Sequence, residues 1–147
     1  MLLRSILIDP YRKSVRPLRI GAKYPALRKV ICGSIQGIRL SKNEILYVHD
    51  EGLYIPAVSF FRLNGPIISY PQPLAGYGVV LGVDDQGESR DTEVPVELIR
   101  DNVDFPDLRV RKWTSGRTYT ETHPILGEVS VIEGPKPIFE VLKEGKA

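Results

Sequence analysis

The chain has 147 residues, a formal net charge of +2, 42% apolar and 26% charged residues, two histidines and one cysteine. A chain of this size buries roughly 70% of its unfolded surface and needs no disulfide or metal to hold a core. A single Cys32 excludes an internal disulfide, and the paired Cys or His spacings of zinc sites are absent.

The first expected strand is Leu2–Ile8, ended by Asp9-Pro10, with Val15–Ile20 as its hairpin partner. Pro17 places that partner at a sheet edge, because it lacks a ladder donor. A helix is expected over Tyr24–Ile31: Pro25 fits its first turn, Leu27, Val30 and Ile31 share one face, and Gly33 is the expected C-terminal glycine. Cys32, inside Val30-Ile31-Cys32, reads as a buried thiol.

Strands follow at Ser34–Leu40 and Ile45–Val48, then an Asp50-Glu51-Gly52 turn and a strand Leu53–Leu63 broken at Pro56. Asn64-Gly65 is a hairpin-turn dipeptide. Tyr70–Gly76 carries two prolines and is expected as an extended loop, before a buried strand Tyr77–Val83 and an acidic turn Asp84–Glu88. The second expected helix spans Thr92–Asn102, capped by Asp91 or Thr92.

Beyond Phe105, strands are expected at Leu108–Trp113 and Arg117–Thr122, joined as a hairpin through Thr114-Ser115-Gly116, then at Ile125–Ile132 and Ile138–Leu142. The expected fold class is α+β: a mainly antiparallel small sheet with two short helices. Its expected division is a core domain over 1–105 and a β-rich C-terminal extension over 106–147, packed on the same domain.

Charge is distributed in blocks: +7 over residues 1–29, −7 over 30–107 and +2 over 108–147. Such blocks either steer a charged partner or face each other within the fold or in an oligomer. No segment approaches the ~20 apolar residues of a membrane span. The opening run, interrupted by Arg4 and ended by Asp9-Pro10, does not read as a signal peptide, so a cytoplasmic location is expected.

Gly76-Tyr77-Gly78-Val79-Val80-Leu81-Gly82 imitates a dinucleotide fingerprint, but its glycines open a strand rather than a helix, and close backbone packing is their expected role. The acidic turn lacks the alternation of a calcium loop. His49 and Asp50 are neighbours on an extended chain and point to opposite faces. No serine lies in a nucleophile elbow. The chain is therefore read as non-catalytic, with no metal and no cofactor.

Two binding regions remain. Arg109, Arg111, Lys112, Trp113, Arg117 and Tyr119 mix cations with aromatics, the chemistry of a β-ribbon on nucleic acid. In a regular strand Arg109, Arg111 and Trp113 would share one face, with Val110 and Lys112 on the other. The second region is the Pro71-Gln72-Pro73 loop. Its prolines lower the entropy lost on ordering, and Gln72 displays both donors and acceptors.

Asp50-Glu51-Gly52-Leu53, Phe60-Phe61, Pro71-Gln72-Pro73-Leu74-Ala75-Gly76-Tyr77-Gly78-Val79-Val80-Leu81-Gly82 and Asp84-Asp85-Gln86-Gly87-Glu88 follow one another in this order. This series, with Ile8-Asp9-Pro10 and Cys32-Gly33-Ser34-Ile35, resembles the domain-of-unknown-function 3846 family of small bacteriophage and mobile-element proteins. The resemblance covers roughly residues 6–105 and departs from the family's short ending after 105. It implies a setting inside a bacterial host and no reaction. The expectation is an accessory protein that binds a host protein or small ligand, for example to blunt a host defence. Its candidate binding residues are Asp50, Glu51, Gln72, Leu74 and Tyr77. A nucleic-acid binder using 108–122 is the alternative. Open strand edges also allow a homodimer, and no membrane partner is expected.

Overall fold

A computed structural model describes residues 2–55, 58–65 and 73–142. They form two compact units, divided between Asp107 and Leu108. The fold class is α+β, with mainly antiparallel sheets and two short helices. Among the described residues no helix is long and apolar enough to cross a membrane.

In the first unit, β1 (Leu2–Asp9) and β2 (Ser14–Gly21) make the expected hairpin, in register from Leu2↔Gly21 to Asp9↔Ser14. The buried Asp9 carboxylate builds its turn: Oδ1 accepts the Tyr11 and Arg12 N–H groups (3.1 and 3.2 Å), and Oδ2 accepts Arg16 (3.2 Å). β3 (Ile35–Ser41) and β4 (Glu44–His49) make a second hairpin. The central strand is β7 (Gly78–Val83), buried along its whole length, between β1 and β4 in the order β2-β1-β7-β4-β3. β2 is at the edge, as Pro17 requires. The short β8 (Ser89–Arg90) pairs with the end of β7.

Strand alternation gives the sheet two apolar faces. Ile6, Ile8, Leu46, Val48 and Val80 face Phe61, Leu63, Leu74 and Ile99. Leu3, Leu7, Val79 and Leu81 face Leu27 and Ile31 of α1 (Tyr24–Ile31). Each such side chain, fully buried, is worth about 1.5–3 kcal/mol, which is how an eight-residue helix stays on the sheet.

Several expectations change. Cys32, not Gly33, takes the left-handed position after α1 (φ 70°), and its thiol is exposed rather than buried. Gly33 instead packs against the His49 imidazole, which a Cβ there would displace. The expected strand Leu53–Leu63 is a 3-10 turn (Gly52–Tyr54) and a four-residue β5 (Phe60–Leu63); Pro56 lies outside the described residues. The expected Tyr70–Gly76 loop ends in a short strand, β6 (Leu74–Ala75), paired with β5. β5 also pairs with β9 (Val103–Asp104), which the sequence did not reveal. The residues that follow the Asn64-Gly65 dipeptide, 66–72, lie outside the described residues.

The second helix, α2 (Val96–Asp101), starts four residues late. The Thr92 hydroxyl does not cap it, because it donates to the buried Glu44 Oε1 (2.6 Å) and accepts the Val94 N–H (3.1 Å). Arg4 joins this latch: its N–H donates to Asp91 Oδ1 (2.8 Å) and its carbonyl accepts the Thr92 N–H (2.9 Å). With Lys13–Asp107 (3.3 Å), these contacts bring the basic first block against the acidic second one.

The second unit is a ribbon. β10 (Leu108–Trp113) pairs with β13 (Pro137–Val141), and β11 (Arg117–His123) pairs with β12 (Gly127–Glu133). The expected 108–122 hairpin is therefore not formed: β10 and β11 run end to end along one side of a longer hairpin. Thr114 and Lys136 bridge the break, through Thr114 N–H to Lys136 O (2.8 Å) and Lys136 N–H to Thr114 Oγ1 (2.9 Å). A bulge between Val110 and Lys112 shifts the register, so that Trp113 joins Val110 on one face and Lys112 joins Arg109 on the other.

Candidate functional site

Of the candidate binding residues in the first unit, Asp50 and Glu51 lie at one end of its main sheet. β4 ends at His49, and the chain turns there: Asp50 N–H donates to Ser34 O (2.9 Å), and Glu51 N–H donates to His49 Nδ1 (2.9 Å). Asp50 and Glu51 are exposed on this turn. Gly52 then packs against the second motif, since a Cβ on it would stand 2.7 Å from the Ala75 carbonyl oxygen. The Asp-Glu-Gly and Leu-Ala-Gly segments, separated in sequence, thus meet in space.

Leu74 is not displayed for binding; it is buried in the core beside Phe61. Gln72 and Pro71 lie outside the described residues. Tyr77 is half-buried, and its ring meets that of Tyr11 at 5.1 Å between centroids, tilted by 53°. Burial pushes the Tyr11 phenol above its ordinary range; Tyr77 adds to this, and a hydrogen bond with the Ser59 backbone opposes it. Tyr11 is a neighbour of Tyr77 that no local motif signals, because the β1–β2 turn and the start of β7 meet only through sheet pairing.

Beside α1 lies a surface groove of about 310 Å³, lined by Tyr24, Pro25, Arg28, Lys29 and Gly33. Arg28 stands 5.8 Å from the Tyr24 ring centroid. Among the described residues no three His, Cys, Asp or Glu side chains converge to hold a metal ion.

In the ribbon the cation–aromatic set is dispersed and partly neutralised. Arg109 pairs with Glu140 and Arg117 with Glu133, each at 2.7 Å, and Lys136 approaches Glu133 at 3.8 Å. The Arg117 hydrogen bond holds the Glu133 carboxyl below the usual carboxylate range. Arg117 also stacks on Tyr119, 4.6 Å from its centroid. Arg111 and Lys112 are exposed, and Trp113 is half-buried.

The ribbon's tip is the feature that the sequence reading missed. His123 Nδ1 accepts the N–H groups of both Ile125 and Leu126 (3.1 Å each), fixing a tight turn. The two side chains stand 86% and 70% exposed. The only signal was Pro124-Ile125-Leu126-Gly127, an aliphatic pair between polar strands.

Compared with known proteins, the chain matches no family model, no curated protein and no solved structure.

Proposed function

We propose that this chain is a non-catalytic binding protein that recognises a protein partner through the tip of its C-terminal ribbon. One observation carries the reading: Ile125 and Leu126 are held outward by a turn hydrogen-bonded to His123. Leaving two adjacent aliphatic side chains in water forfeits about 1.5–3 kcal/mol each relative to burial. A preorganised turn recovers that on binding at low entropic cost. Two exposed side chains on a turn fit a socket on a macromolecule better than they enclose a small ligand.

Charge separates a protein from a nucleic acid. The charged residues nearest the tip along both strands are acidic, Glu121 and Glu128. Two of the ribbon's arginines are already paired with Glu133 and Glu140. A phosphate backbone would meet repulsion where the apolar contact is made, whereas a protein socket with a basic rim would not. The setting implied by the resemblance, a bacteriophage or mobile element inside a bacterium, makes that partner a host protein.

The test compares full-length wild type with Ile125→Ser/Leu126→Ser in capture from bacterial lysate, followed by calorimetry on the purified captured protein. An anchor pair of this kind predicts affinity weakened by roughly thirtyfold or more, with unchanged circular dichroism. Equal affinity of the two proteins would refute the reading. Capture of nucleic acid instead, with binding that falls steeply with salt, would transfer it to the nucleic-acid alternative.

A further inference from the structure

The ribbon has open edges. Among the described residues β11 has a ladder partner on one side only, β12, and every β11 residue except Tyr119 is exposed. A two-stranded ribbon is marginal in water, and an unpaired strand edge is a template for a further strand. What joins it depends on which sequence fits.

β11 fits itself. Arg117-Thr118-Tyr119-Thr120-Glu121 is a charge palindrome about Tyr119. Two antiparallel copies centred there place Arg117 opposite Glu121 twice, Thr118 opposite Thr120 twice, and Tyr119 opposite its own copy. All three pair types, opposite charges, threonines and aromatics, stabilise neighbouring strands. The faces agree as well, since an antiparallel register of this kind keeps odd residues opposite odd and even opposite even.

The other strands do not have this property. β10 would bring Arg109, Arg111 and Lys112 against like charges, β12 carries only acidic charges, and β13 begins with Pro137. Glu121 has no ion pair among the described residues, and its carboxylate interacts only with the Tyr119 phenol on the same face, leaving it free to meet a cation. Arg117 is bound to Glu133, but a guanidinium has five donors and can serve a second carboxylate.

We propose that the chain is a homodimer in which the β11 strands pair antiparallel about Tyr119, forming a four-stranded sheet β12-β11-β11-β12. The two apolar tips then lie at opposite ends of that sheet, available for binding. The dimer does not depend on what the tips recognise, and its test reads mass rather than partner capture.

Sedimentation equilibrium of the full chain should give twice the 16.5 kDa chain mass. Glu121→Arg, which breaks no ion pair within the described residues, turns both attractive contacts repulsive and should weaken the dimer by roughly tenfold or more. Arg117→Glu should also weaken the dimer, although it gives up the intrachain bond to Glu133 as well, so the decisive reading is the mixture of the two variants. Mixed in equal amounts, the two variants become complementary, and a heterodimer should form. An independent check of register is Cys32→Ser/Tyr119→Cys, which should cross-link two chains through position 119. A monomeric wild type, a dimer indifferent to Glu121→Arg, or failure of the position-119 cross-link in a dimeric protein would each overturn the proposal.

Discussion

Replacing Gly52 with alanine tests whether the two motif segments are locked together. The new Cβ would stand 2.7 Å from the Ala75 carbonyl oxygen and 3.1 Å from the Ala75 Cβ. Ordinary contact begins near 3.4 Å, so the carbonyl would have to retreat by about 0.7 Å. It has little freedom to do so. Ala75 is paired with Phe60, the next N–H donates to Ser59 O at 2.9 Å, and Leu74 and Ala75 are 7% and 6% exposed. Overpacking of this kind costs about 1–3 kcal/mol, and a strained or lost backbone hydrogen bond adds about 0.5–1.5 kcal/mol. The lower unfolded-state entropy of alanine returns about 0.4–1 kcal/mol. A net loss of about 0.5–4 kcal/mol follows, and each kcal/mol lowers Tm by about 4–8 °C in a unit of this size. Urea and thermal unfolding of the full chain would measure it, with Gly65→Ala as the control because no atom lies within 4 Å of a Cβ there. Equal stability of the two variants would refute the lock.

Cys32→Gly should raise stability by about 0.5–1 kcal/mol, because it removes the cost of a left-handed residue carrying a Cβ and restores only part of it as unfolded-chain entropy. In the wild type the exposed thiol should react with a disulfide reagent at native pH without prior unfolding; a thiol that reacts only after denaturation would contradict the position of Cys32. Tyr11 should be slow to ionise on alkaline titration. Its phenol is raised above 10.0, first by burial and then by Tyr77. The stabilisation is therefore complete below the ordinary tyrosine pKa and is lost as pH rises through the raised value. Phenolate absorbance should show Tyr77→Phe lowering that late component, and an unchanged titration would argue against the contact.

The strands of the main sheet were legible because each carries its own punctuation. Asp9-Pro10 ends β1, Pro17 marks an edge, and the apolar run Val79–Leu81 announces a strand buried on both faces. The second helix was misplaced because Thr92 offers good capping chemistry, and sequence cannot show that Glu44, 48 residues away, takes its hydroxyl. The basic hairpin failed for a related reason. Thr114-Ser115-Gly116 looks like a turn, yet long-range pairing with β12 and β13 carries the chain straight through it. The bulge at Arg111 then moved Trp113 to the other face, which no alternation rule foresees.

By itself the sequence determined this protein's class: short strands cut by proline and glycine, two brief helices and one thiol. It also held the palindrome about Tyr119, a local fact that needs no folding to be read. Tertiary structure alone decided which strands pair, that Gly52 meets Ala75, that Tyr11 meets Tyr77, and that Ile125 and Leu126 stand in water. The physical reason is that local backbone preferences act over a few residues, whereas β-pairing and burial are selected among distant segments by the free energy of the whole fold.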